Sequence, residues 1–212
     1  MATIQIGRRG FAQVEPNHLS GIVTGQILAQ LSVDAATMGT IIENGRFAKY
    51  DYATGKVNLT GSGEWMLIYN EEKLYDERKQ SHKDFAMIAD SYTDREIVPR
   101  LISTVLGDIY TTNAFGANTT GVNSNLTAST TDYDGVKVLP DVAGITIDET
   151  GKDAQQKIYQ FAVTKATGYL GIIDTASGAD NSALDLTGPI FELAKIYRMA
   201  DGQPGVKLIR VQ

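Results

Sequence analysis

His18 and His82 are the only imidazoles in the 212-residue chain, and there is no cysteine. A nucleophilic triad needs a base held in a fixed tautomer beside its nucleophile. His18 follows Pro16-Asn17 and His82 lies in the charged stretch KQSHKD, settings for exposed side chains rather than for a buried base. No HExxH, Gly-x-Ser-x-Gly, GxGxxG or phosphate-loop pattern is present. Gly55-Lys56 matches only the last letters of a phosphate loop, and the residues after it read as a strand, so no helix N-terminus follows to hold an anion. Carboxylates do cluster, in Asp132-Tyr133-Asp134-Gly135 and in Asp148-Glu149. Hard oxygen ligands of this kind suit Ca²⁺, but the first cluster lacks the following glutamate of an EF-hand loop and reads as a turn. Glycosidase chemistry needs two carboxylates opposed across about 5 to 9.5 Å, a separation that linear spacing does not supply. The residues therefore point away from an enzyme and call for no metal or cofactor.

The elements that would position any site are strands. In GRFAKYDYATGKVNLTGSGEWMLIYN (45–70), two apolar-alternating runs flank Ala53-Thr54-Gly55, where Gly55 takes the positive φ of a short hairpin loop with a bulge. Trp65 to Tyr69 is continuously apolar, as in a central strand covered on both faces, and puts the sole tryptophan in the core. A strand is expected over 25–33, then a short irregular or helical stretch through DAATMGTII, stopped at Asn44-Gly45. Asn70, followed by Glu71 and Glu72 and later by Arg78 and Lys79, has the cap and charge order of one short helix that would turn Leu74 and Tyr75 inward. Residues 85–89 are apolar. Further strands are expected over 97–106, with Pro99 near the start or on an edge, and over 109–112. The Asn-, Thr-, Ser- and Gly-rich stretch 113–135 reads as a surface loop or edge hairpin. Strands follow at 142–147, at 159–163, and after the turn Lys165-Ala166-Thr167-Gly168 at 169–173. A terminal hairpin pairs 190–199 with 206–211 through Asp201-Gly202-Gln203-Pro204-Gly205. The fold class is mainly β: an antiparallel sandwich or barrel-like sheets with one or two short helices. Residues 1–16 read as an extended arm, 17–112 as a β-rich core region and 113–212 as a second β-rich region, within one domain or two.

Composition narrows the partners. The net charge is −6, and no Lys or Arg occurs between Arg100 and Lys137, which argues against a nucleic-acid surface. Lys73, Arg78, Lys79 and Lys83 are interleaved with acids and read as a solvated mixed face. No run reaches the roughly 18 apolar residues of a membrane span, and MATIQIGRRG lacks a signal-peptide core, so a cytoplasmic site of synthesis is expected. Ten tyrosines against six phenylalanines suit half-buried sheets and interfaces alike.

Three blocks, MATIQIGRRGFAQVEPNHLS, the stretch from GRFAKYDYATGK through SHKDFAM, and GDIYTTN, resemble structural proteins of tailed-bacteriophage virions encoded near the major capsid protein, including decoration (auxiliary head) proteins similar to those of crAss-like phages. The resemblance spans about the first 113 residues and implies a non-enzymatic protein on the capsid exterior, made in the bacterial cytoplasm. Its implied partners are the major capsid protein, other virion proteins and copies of itself, with neither nucleic acid nor membrane. It carries over no catalytic residue. Arg8, Arg9 and Phe11 in the arm are the hypothetical capsid-docking residues. The alternatives are a tail-tube or head-completion protein, which would form rings by strand addition, and a carbohydrate-binding β sandwich using exposed tyrosines.

Overall fold

Strand β4 (Phe47–Asp51) and strand β5 (Lys56–Asn58) form the expected hairpin, and Gly55 at its turn has φ +69°. Asp51 shapes the loop: its carboxylate accepts from Ala53 N at 3.0 Å and Thr54 Oγ1 at 2.8 Å. These contacts come from a computed structural model, which describes residues 4–6, 14, 27–28, 31–38, 41–69, 85–88, 99–114, 159–173, 177–178, 180–198 and 204–212. The helix expected after Asn70 and the strand expected over 142–147 lie outside these residues, as does 115–135.

The hairpin belongs to a five-stranded antiparallel sheet with β2 (Ile27–Leu28), β6 (Trp65–Ile68) and β8 (Leu101–Ser103), in the order β2-β8-β6-β4-β5. β6 is the middle strand and all four of its residues are buried, which is why its sequence is apolar throughout instead of alternating. A second five-stranded sheet runs β11-β10-β12-β13-β9, where β9 is Ile109–Thr112, β10 Gln160–Thr164, β11 Leu170–Ile172, β12 Leu184–Arg198 and β13 Pro204–Arg210. The third sheet is β1-β7-β3, from β1 (Ile4–Ile6), β7 (Phe85–Ile88) and β3 (Ile41–Glu43). All named strand pairs are antiparallel and the sheets do not close into a barrel, so the architecture is mainly β and of the sandwich kind.

The two large sheets meet through aromatic rings. Phe47 of β4 packs 5.5 Å from Phe191 of β12 and 6.5 Å from Tyr110 of β9, centroid to centroid, and Tyr110 meets Phe191 edge-on at 5.4 Å. A single hydrophobic cluster runs from Val14 to Leu208 and takes residues from both sheets. Strand β9, from the middle of the sequence, closes the edge of a sheet otherwise made of the last third of the chain.

Three local expectations change. Of the strand expected over 25–33, the described residues show Ile27–Leu28 as strand, Leu31 and Ser32 outside any strand, and Val33 in an isolated parallel bridge to Val57. There Asp34 instead caps the short helix α1 (Ala35–Met38), its Oδ1 accepting from Ala36 N at 3.1 Å. Asn113 and Ala114, placed at the start of a surface loop, are fully buried. The last long strand starts at Leu184 rather than 190. It does so because a bulge absorbs the turn-like residues Leu186-Thr187-Gly188-Pro189: Ala162 pairs with Ile190, and the next residue, Val163, pairs with Asp185. Finally, the described parts of the arm pair with the chain's own body, Ile4–Ile6 with β7 and Val14 with Thr112.

Candidate functional site

Alternation along β4 puts Phe47 and Lys49 on one face, the face turned to the second sheet. A lysine two residues from a core phenylalanine needs a partner. It finds Asp185, 136 residues away, with Nζ 3.2 Å from Oδ2. Trp65, cross-strand from Lys49, donates its Nε1–H to the same oxygen at 2.8 Å, and the ammonium lies 4.7 Å from the indole centroid. Asp185 Oδ1 accepts from Thr187 N at 3.1 Å and Thr187 Oγ1 at 2.6 Å, so both oxygens are occupied and the bulge is fixed at its base. Burial works to raise the Asp185 pKa, but hydrogen bonds from Thr187, Trp65 and Lys49 outweigh it and hold the carboxyl far below the usual range. Gly188 closes over the indole: a Cβ there would stand 2.7 Å from Trp65 Cδ1.

This tie forms the floor of an open cleft of about 270 Å³, whose rim carries Glu64, Arg210 and Gln212. Arg210 donates from Nε to the Gln212 carbonyl at 2.7 Å and from Nη1 to Thr104 Oγ1 at 3.1 Å. Burial lowers its pKa, while Glu64 and Asp108 raise it. Gln212 spends its amide N–H groups on the carbonyls of Leu186 and Gly188, at 3.1 and 3.3 Å.

A second polar tie lies on the other side of Phe47. Arg46 donates to the carbonyls of Met38 at 2.7 Å and Thr167 at 2.8 Å, and its guanidinium sits 5.4 Å from the centroid of the Tyr169 ring. Tyr169 hydrogen-bonds through its hydroxyl to Glu43, and all three side chains are buried. Burial draws the Arg46 pKa down, opposed by Tyr169 and Glu43. These contacts join the β3–β4 link to the turn between β10 and β11.

Arg8, Arg9 and Phe11 lie outside the described residues, as do His18, His82, Asp132, Asp134, Asp148 and Glu149. Asn58, a glycosylation-type sequon position, is buried and caps the next loop, its Oδ1 accepting from Thr60 N at 3.0 Å and Gly61 N at 2.5 Å. Tyr52 at the hairpin tip is 73% exposed and stands edge-on to Tyr50 at 5.1 Å. Sequence reasoning passed over the Lys49–Trp65–Asp185 set. The available signal was the inward register of Lys49; its partner lay hidden in a bulge that reads as a loop. Among the described residues no group of three or more His, Cys, Asp or Glu is placed to hold a metal, and no helix is long and apolar enough to cross a membrane. No protein family, no curated protein and no solved structure matches the chain.

Proposed function

We propose that this chain is a non-enzymatic structural protein of a tailed-phage virion that decorates the capsid exterior and stabilises it by docking across neighbouring major capsid subunits. The observation that carries the reading is the doubly tied sheet interface. On either side of Phe47, a cation in β4 or just before it, Lys49 half-buried and Arg46 buried, is bonded to groups more than 100 residues away, so the two sheets resist sliding apart. Side chains spent on each other in this way suit a body that transmits force. The resemblance of the first 113 residues and the acidic charge of the chain support an outer-face location over one lined by DNA. Binding to the closed shell, and not to its separated subunits, would add free energy to the assembled state, multiplied over many lattice sites.

Arg8, Arg9 and Phe11 are the docking residues in this reading, with the major capsid protein as partner and other virion proteins and further copies as neighbours. They lie between two stretches paired with the body, Ile4–Ile6 and Val14. Deleting the arm would therefore also remove a strand, and point substitution is the cleaner test. The protein should cosediment saturably with empty capsids assembled from the major capsid protein encoded beside it. The triple variant Arg8→Ala, Arg9→Ala, Phe11→Ala should lose that binding while melting as the parent does. No binding by the parent, with rings or tubes forming instead, would move the assignment to the tail.

A further inference from the structure

We propose that Asn44 is a latent deamidation site, silent while the chain is folded and opened by unfolding, and that its conversion bars the chain from refolding. Asn44-Gly45 is the sole Asn-Gly pair in the sequence. In such a pair the backbone nitrogen of the glycine, unhindered by a side chain, attacks the asparagine Cγ. The N–Cγ bond forms, the Cγ–Nδ2 bond breaks, and ammonia leaves carrying the proton that the glycine nitrogen gave up. Water then opens the resulting five-membered imide at either carbonyl, to aspartate or isoaspartate. The glycine is imposed by the fold. The pair makes the corner where the chain passes from β3 in the small sheet to β4 in a large one. Gly45 has φ +79°, in the left-handed region, and a Cβ there would stand 2.5 Å from Ala114 Cβ and 3.0 Å from Thr112 Oγ1. Packing thus gives Asn44 the neighbour that makes an asparagine most labile.

The same packing blocks the reaction. Gly45 N, the nucleophile, donates its proton to Ile68 O at 2.9 Å, and Asn44 is 4% exposed, so the nitrogen is committed and water is kept from both steps. Attack waits for the corner to open, and its rate follows the open fraction wherever reclosing is fast. Neither product fits on the way back. Aspartate at 44 puts a carboxylate where a neutral amide is buried, directly after the buried Glu43, and the charge is desolvated there. Isoaspartate runs the chain through its own side chain and adds a backbone atom to a corner already filled by Ala114, Thr112 and Val14.

The full chain is held in mildly alkaline buffer, folded or in guanidinium chloride, and the peptide carrying Asn44 is followed by mass spectrometry for the amide-to-acid mass gain and for isoaspartate. In denaturant Asn44 should convert first among the asparagines. In the folded chain it should convert at least about a thousandfold more slowly, matching an unfolded fraction of 10⁻³ or less. Asn44→Gln, whose longer side chain closes the ring poorly, should lose the gain at this peptide in denaturant, where folding plays no part. Partly converted chains are then diluted from denaturant, and the folded fraction is collected by gel filtration. It should hold about a tenth or less of the converted Asn44 present in the mixture. Folded and unfolded rates within about threefold of each other overturn the proposal. So does recovery of converted chains in the folded fraction in proportion to the mixture. No capsid enters the test, so its outcome is independent of the decoration reading.

Discussion

Gly55 and Gly168 end two turns of identical sequence, Ala-Thr-Gly, with nearly the same φ of +69° and +74°. Alanine should nevertheless cost very different amounts at the two sites. At Gly55 the nearest atom to an added Cβ is the Tyr50 hydroxyl at 3.8 Å, so the only penalty is the left-handed backbone, about 1 kcal/mol net of the entropy lost from the unfolded chain. At Gly168 the Cβ would stand 2.1 Å from the Phe47 carbonyl oxygen and 3.1 Å from Leu59 Cδ2. The turn cannot back away freely, because Phe47 N donates to Gly168 O at 2.6 Å. Relief requires breaking that bond, about 1 kcal/mol, and shifting the residue whose ring packs on Phe191 and Tyr110. Added to the backbone term, the loss should be about 4 kcal/mol. For a chain of this size 1 kcal/mol moves Tm by roughly 2–4 °C, so Gly55→Ala should melt a few degrees low and Gly168→Ala about 8–16 °C low. Urea unfolding followed by Trp65 emission measures both, since that indole senses separation of the sheets. Losses equal to within about 0.5 kcal/mol would refute the claim that the second turn is fixed by its docking rather than by its own conformation.

Asp185→Asn should destabilise the fold by about 2 kcal/mol near neutrality, because charge-assisted bonds from Lys49 and Trp65 weaken. The native carboxyl has a depressed pKa, so its contribution is complete above the unfolded value near 3.9 and is lost as pH falls through the folded one. Urea midpoints of parent and variant should hold a constant gap from about pH 5 to 7 and converge below about pH 4; a gap that widens in acid would contradict the assignment. Tyr110 is fully buried, its hydroxyl has no hydrogen-bond partner among the described residues, and burial pushes its pKa well up. Tyr110→Phe removes that stranded group and keeps the rings against Phe47 and Phe191, so stability should be unchanged or rise by about 1 kcal/mol in the same assay; a loss of that size would reveal a bonded hydroxyl.

What the sequence alone determined is what neighbours along the chain dictate. Alternation and Gly55 suffice for the β4–β5 hairpin, because a turn with positive φ forms from a few residues whatever surrounds it. Unbroken apolarity in Trp65–Ile68 marks a strand covered on both faces, and the observed sheet order puts it in the middle. Leu170–Ile172 and the terminal hairpin were legible for the same reason. The tertiary structure decided which strands face each other and what their polar residues do. Leu186-Thr187-Gly188-Pro189 has the composition of a loop, yet it sits inside a strand because Asp185 and the indole of Trp65 hold the bulge in place. Lys49 becomes a cross-sheet tie because its carboxylate arrives from 136 residues away. Gly168 is required by the Phe47 carbonyl above it, although its turn reads like the one at Gly55. Such pairings depend on the relative placement of distant segments, which no local pattern of side chains encodes.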